Sequence, residues 1–296
     1  MKTLFFVLST LFLLPLSYAH AQSVKAKTEY AKLAEDRTIA FRSIGKGSPI
    51  ILANRFRGNL DTWDPAFLDA LAKSNRVIIY DYVGTGLSKG PQADSNLKMA
   101  MEIKELAQSL KINKFVVGGW SYGGMIAQVA LTEFPEMISH GILIGTRLPG
   151  AKVAPPQKIF FERALKPVND LDDETVLFFN PKYPASVDAA KASHERIAAR
   201  KSDKDIPMTE AQWNGLLKAR DYVEDKHGTY KKLQETKIPI LGLLGENDIS
   251  FAAEDWFTAK GVFPTVSMIY FAQTGHGPQH QFPELSAKYI AEFVKR

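Results

Sequence analysis

The sequence predicts an α/β fold: a mostly parallel sheet covered by helices on both faces and interrupted by a helical insert. Three observations predict it. Unbroken apolar runs at 50–53, 76–80, 114–118, Ile138–Ile144, Ile240–Gly245 and Val266–Phe271 read as strands buried on both faces. Segments with apolar residues at helical spacing alternate with them at 65–73, 97–110 and 125–134. From 147 to 237 the strand pattern stops; prolines 149, 155, 156 and 167 punctuate it, and helical stretches run over 157–165, 172–179, 187–201 and 209–225.

The chain opens on Lys2, an apolar run over 4–16 and the small-x-small triplet Ala19-His20-Ala21. This is the pattern of a signal peptide over 1–21, cleaved after Ala21. The run is too short for a comfortable membrane span. An exported protein is expected, periplasmic or extracellular, with no stable membrane anchor. Residues 24–37 are polar with scattered alanines and read as a loose arm. An early strand follows at 38–45, and Ser48-Pro49 separates it from the run at 50–53. The stretch 54–64 is a loop, and Phe67, Leu68 and Leu71 mark the inner face of the helix at 65–73. Residues 81–90 carry Gly84, Gly86 and Gly90 and form another loop. Pro135 closes the helix at 125–134, and a final helix is expected over 283–295. The core is therefore assigned to 22–146 and 238–296, and the insert to 147–237.

At 296 residues, with 45% hydrophobic and 23% charged residues, the chain can bury a substantial core, which excludes disorder. The formal charge of +5 becomes 5 − 1 = +4 without Lys2, and no long Lys/Arg block or basic stripe points to nucleic acid. The absence of cysteine excludes disulfides, thiolate metal sites and a cysteine nucleophile. The six histidines show no HExxH spacing, and no glycine run matches a dinucleotide fingerprint, so no metal and no cofactor are expected. The expected partner is a small-molecule substrate.

The strongest chemical signal is Gly119-Trp120-Ser121-Tyr122-Gly123, a G-x-S-x-G pentad between a predicted strand and a predicted helix. That context lifts a serine hydroxyl to the carboxyl end of a sheet, beside a helix N-terminus that favours developing negative charge. An ordinary glycine-rich turn that binds phosphate is the competing reading of the pentad alone. Downstream, Asp248 ends the turn after 240–245, and His276 lies on a glycine turn after 266–271. Both should project toward the serine's edge of the sheet. A serine hydroxyl needs a base to take its proton, and imidazole held by a buried carboxylate does this near neutral pH. Glu246 is the alternative acid. Asp81 reads as a structural residue of its loop. His280 reads as a surface or supporting residue, and His140, His194 and His227 as solvated or capping ones.

The run from Gly118 to Gln128 (GGWSYGGMIAQ), with Asp81-x-x-Gly84-x-Gly86-x-Ser88, Gly245-Glu246-Asn247-Asp248 and Gly275-His276-Gly277-Pro278, resembles the α/β-hydrolase superfamily of esterases, lactonases and cofactor-free haloperoxidase-like enzymes. The resemblance implies a triad of Ser121, Asp248 and His276, with the insert as a cap over the active site. It also implies an oxyanion hole formed by the N–H groups of Tyr122 and Phe56. Where the family has His-Gly, this chain has Asn54-Arg55, and arginine tolerates poorly the backbone shape a glycine permits.

Arg55 and Arg57 at the mouth are candidates for recognising an anionic substrate group. Trp120 either packs under the sheet or walls the pocket. Most cap aromatics (Phe160, Phe161, Phe178, Phe179, Tyr183, Trp213, Tyr222) read as cap core rather than an acyl pocket. The expected activity is hydrolysis of a small carboxylic ester or lactone through an acyl-enzyme. The rivals are cofactor-free perhydrolase chemistry, acyl transfer to another acceptor, and a non-catalytic binding protein that kept the fold.

Overall fold

The computed structural model describes residues 22–150 and 153–295, so the expected signal peptide lies outside the described residues. Strands β1 (Glu29–Lys32), β2 (Thr38–Ile44), β3 (Ser48–Ala53), β4 (Asn75–Tyr80), β5 (Phe115–Trp120), β6 (Ile138–Ile144), β7 (Ile240–Gly245) and β8 (Val266–Phe271) form one sheet. Their order is β1-β2-β4-β3-β5-β6-β7-β8. The two pairings at the β1 end are antiparallel and the rest are parallel. Parallel strands need crossovers, and their helices cover both faces. Asn96–Ser109 and Tyr122–Glu133 pack on one face through Met99, Ile103, Ile126 and Val129. Pro65–Ala72 and Pro283–Phe293 cover the other through Phe67, Leu71 and Ile290.

Local chemistry fixes where these helices begin. Asp64 caps Pro65–Ala72 by accepting the Ala66 N–H at 2.8 Å, with Pro65 in the first turn. Ser95 does the same for Asn96–Ser109 through the Lys98 N–H. Between β6 and β7 lie helices Lys158–Ala164, Leu171–Phe178, Pro184–Ala198, Glu210–Lys218 and Thr229–Glu235, and among the described residues this stretch holds no strand. Asp170 with Asp173, and Thr209 with Gln212, form reciprocal capping boxes at two of these starts.

Two expectations are corrected. The presumed loose arm at 24–37 contains β1, which is hydrogen-bonded along β2 from Glu29 opposite Phe41 to Lys32 opposite Thr38. Its only buried side chain is Ala31, so an edge strand of four residues carries almost no alternation to read. The helix expected over 209–225 ends at Lys218. Beyond it Asp221 accepts the N–H groups of Asn96 and Leu97, at 2.7 and 3.0 Å, and so ties the insert to the start of a core helix.

Candidate active site

The parallel strands β3, β5, β6, β7 and β8 end along one edge, and the sheet order reverses direction about β3, β4 and β5, where open α/β sheets form their clefts. Ser121 follows β5 immediately and begins the helix Tyr122–Glu133. Its backbone sits at φ 58°, ψ −116°, a strained conformation for a residue with a Cβ, costing about 1–3 kcal/mol. Its neighbours hold it there. The Ser121 N–H donates to the Ile144 carbonyl and the Thr146 hydroxyl donates to the Ser121 carbonyl, each at 2.8 Å. A Cβ on Gly123 would overlap the Ala53 carbonyl, so a glycine there lets the helix start press against β3.

His276 and Asp248 meet at the same edge. The His276 Nδ1 and Asp248 Oδ2 atoms are 2.7 Å apart and both side chains are buried. The second Asp248 oxygen accepts the N–H groups of Ser250 and Phe251, at 2.7 and 3.0 Å, so the carboxylate is fixed from two sides. This partnership places the Nδ1 proton toward Asp248 and leaves Nε2 as the basic nitrogen. A Cβ on Gly245 would overlap the Gly275 carbonyl, which explains how the Asp248 turn and the His276 turn lie so close. Ser121 and His276 line one pocket of about 320 Å³, counted with its open mouth. Glu246, the alternative acid, is exposed and accepts the Gln273 N–H instead.

The loop after β3 brings Phe56 to the same pocket. Gly58 N–H donates to the Arg55 carbonyl at 2.9 Å, closing a turn with Phe56 and Arg57 at its centre. The strain foreseen at Arg55 falls elsewhere: Arg57 takes the left-handed conformation at φ 58°, and Arg55 is not among the residues with positive φ. Asn54 is fully buried and well satisfied. Its amide donates to the Tyr80 carbonyl at 2.7 Å and its carbonyl oxygen accepts the Trp63 indole N–H at 2.6 Å. Tyr122 occupies the first helical position, where an N–H has no intrahelical acceptor.

Of the three side chains considered for substrate contact, Arg55 and Arg57 both line the pocket and Trp120 does not. Arg57 reaches into the insert, donating to the carbonyls of Ala164 and Lys166, both at 2.6 Å, and of Pro167 at 2.8 Å. Trp120 is 1% exposed and packs beneath the site against Trp63, Phe178 and His280, with its indole N–H on the His276 carbonyl at 2.8 Å. Arg55 lines the pocket beside Ser121. Of the insert's aromatics, Phe160 and Phe178 reach the pocket; Phe179, Trp213 and Tyr222 are buried and Phe161 is exposed.

Ala164, Asn169 and Leu177 also line the pocket and were not foreseen. No local pattern marks them, because their position depends on how the insert docks. His280, read as a surface or supporting residue, is buried under Trp120, and burial pulls its imidazole down to about 4. It accepts the Asp64 N–H, and Asp64 in turn holds Arg196 of the insert through both carboxylate oxygens at 2.8 and 2.6 Å. His140 lies on β6 rather than in a helix or loop, its ring against Phe293. His194 and His227 pair with Glu174 and Asp221.

Asp81 is structural as expected. It accepts the Leu87 N–H and shares a hydrogen bond with Asp205 of the insert. Burial raises both carboxyl groups above the ordinary range; the charge of Asp205 raises Asp81 further, while the hydrogen bond from Asp81 draws Asp205 back, so Asp81 holds the proton. Among the described residues, the Asp170, Asp172 and Asp173 group could present oxygens to a cation. Arg163 and Lys166 already pair with it, and two of its members cap a helix.

A family model for the α/β hydrolase fold matches residues 48–283 of this chain. The chain belongs to that family. A solved α/β-hydrolase fold protein from Chitinophaga pinensis is 25% identical, with a TM-score of 0.80, covering 92% of this chain and 98% of that one. A thermophilic esterase from Thermogutta terrifontis shares the fold at 20% identity and a TM-score of 0.70, covering 91% and 98%. A Bacillus subtilis protein, provisionally named a 2-succinyl-6-hydroxy-2,4-cyclohexadiene-1-carboxylate synthase, is 24% identical over 255 residues, 83% of this chain and 89% of that one. Among the described residues, no helix is long and apolar enough to cross a membrane.

Proposed function

We propose that this protein is an exported serine hydrolase that cleaves a small carboxylic ester or lactone through an acyl-enzyme on Ser121. The observation that carries the reading is the joint placement of Ser121 on its strained turn and the His276–Asp248 pair, both facing one pocket. Ser121 Oγ attacks the carbonyl as His276 Nε2 takes its proton, and Asp248 stabilises the imidazolium that forms. The N–H groups of Tyr122 and Phe56 receive the oxyanion. His276 then gives the proton to the departing alkoxide, leaving the acyl group on Ser121. A water molecule, deprotonated by His276, attacks that ester, and the acid product departs as Ser121 regains its proton. Esterase chemistry in a neighbour of the same fold agrees with this reading, and the apolar signal at the N-terminus supports export.

The test is labelling of the mature protein with a fluorophosphonate, with acid release measured across a panel of esters and lactones. Labelling should map to Ser121 and vanish in Ser121→Ala, and the rate on the best ester should fall by at least about 10⁴-fold. A folded wild-type protein that takes no label and releases no acid would end the reading.

A further inference from the structure

We propose that Arg55 makes this pocket selective for esters carrying a second, anionic group, a carboxylate, a few ångströms from the carbonyl under attack. The inference rests on the serine-hydrolase reading and names its substrate class: half-esters of short dicarboxylic acids.

The first support is position. Arg55 lines the pocket with Ser121 and His276, one residue before Phe56, whose N–H is assigned to the oxyanion. A group bound by Arg55 is therefore read close to the reacting carbonyl. The second is what its donors do. Nη1 donates to the Phe56 carbonyl at 2.8 Å, while Nε is buried with no partner. The Nε–Nη2 edge, the one that matches a carboxylate with two parallel hydrogen bonds, carries no hydrogen bond among the described residues. A buried donor left unmade is costly, and here it belongs to a half-buried cation with no anion on it, a poor structural choice and a sound recognition device.

The third support is rigidity. The guanidinium lies 4.6 Å from the centre of the Phe178 ring and 5.3 Å from that of Trp120. These faces hold its plane and favour its charge without neutralising it. The acid that most influences it, Glu174, is bonded to His194 at 2.8 Å. Burial lowers the guanidinium to about 10, so it remains a cation at neutral pH. Arg57 supplies the contrast two residues on: three carbonyls of the insert occupy its guanidinium, which serves as a clamp. Beside the polar Arg57 and Asn169, the pocket wall has an apolar part from Phe160, Ala164 and Leu177, which suits the methylenes between the two ends of such a substrate.

The test compares wild type, Arg55→Gln and Arg55→Lys on monomethyl glutarate and on methyl pentanoate, an uncharged ester of similar length. Wild type should favour the acidic ester in kcat/KM by about tenfold or more, Arg55→Gln should lose at least that preference, mainly through KM, and Arg55→Lys should recover part of it. A second measurement needs only wild-type protein: glutarate should slow fluorophosphonate labelling of Ser121, and glutaramide should not. If neither ester is turned over, this protection decides. Labelling of Ser121 with no preference for acid, or with equal protection by glutarate and glutaramide, overturns the role of Arg55 and leaves the hydrolase reading standing. Absence of any labelling overturns both.

Discussion

The carboxyl edge of the sheet and the insert above it are built by different rules. At the sheet edge, backbone decides: Ser121 is held by the Ile144 carbonyl and the Thr146 hydroxyl, and Gly123 and Gly245 permit approaches that no side chain could share. The insert is fastened by long polar side chains. Arg57 reaches up to three insert carbonyls, Arg196 reaches down to Asp64, Asp221 caps a core helix, and Asp205 meets Asp81. Backbone constraint leaves the candidate reacting atoms little freedom, whereas side-chain fastenings can be replaced one at a time. The candidate triad belongs to the first region, and the pocket wall is shared between the core loop at Arg55, Phe56 and Arg57 and the insert at Phe160, Ala164 and Leu177.

The hardest test of that division is Asp248→Asn. The change preserves shape yet removes the charge and the acceptor that fix the His276 tautomer, so kcat should fall on the order of 10³–10⁴-fold with the melting temperature nearly unchanged. A loss below tenfold would place the supporting acid elsewhere.

A smaller effect is expected at Asp81 and Asp205, where the two regions share a proton. Both groups sit above their ordinary values in the folded protein, so the folded state binds the extra proton, and stability falls as pH rises from about 4 through the raised values. Arg42 moderates this by favouring the charged form of Asp81, and Asp61 adds to it at Asp205. Asparagine at 205 can donate to Asp81 without that proton. Asp205→Asn should therefore lose less stability than wild type between pH 5 and pH 8, on the order of 1 kcal/mol, in urea titrations at the two values. Parallel pH profiles for the two proteins would remove the shared proton from the account.

The subtlest comparison is at Arg57. Arg57→Ala and Arg57→Gly both release the insert carbonyls and should speed proteolysis within 147–169. At φ 58° glycine is free of the Cβ penalty, so the glycine variant should be the more stable of the two by about 1 kcal/mol. Equal unfolding midpoints would show that this turn stores no strain.

The same division explains what the sequence discloses. Apolar strands and a glycine-flanked serine are local signals, and β5, its turn and the following helix stand where the pattern of 114–134 puts them. Asp248 and His276 are legible because each follows a strand whose end is forced to the same edge. The opposite holds where tertiary contact decides. β1 shows one buried residue, His280 is hidden between Trp120 and the insert helix Pro184–Ala198, and the different work of Arg55 and Arg57 depends on where insert carbonyls and aromatic rings arrive.

One bond between the two regions limits how freely the protein can be recast. The Gly277 N–H, next to His276, donates to the carbonyl of Phe178 at 2.8 Å, at the end of the insert helix Leu171–Phe178. The roof therefore supports part of the floor. An engineer who grafts a foreign lid here can exchange 158–169, which meets the pocket from above, but must carry the backbone around 178 across intact. A transplant that ignores this joint changes the pocket and loosens the His276 turn at the same stroke.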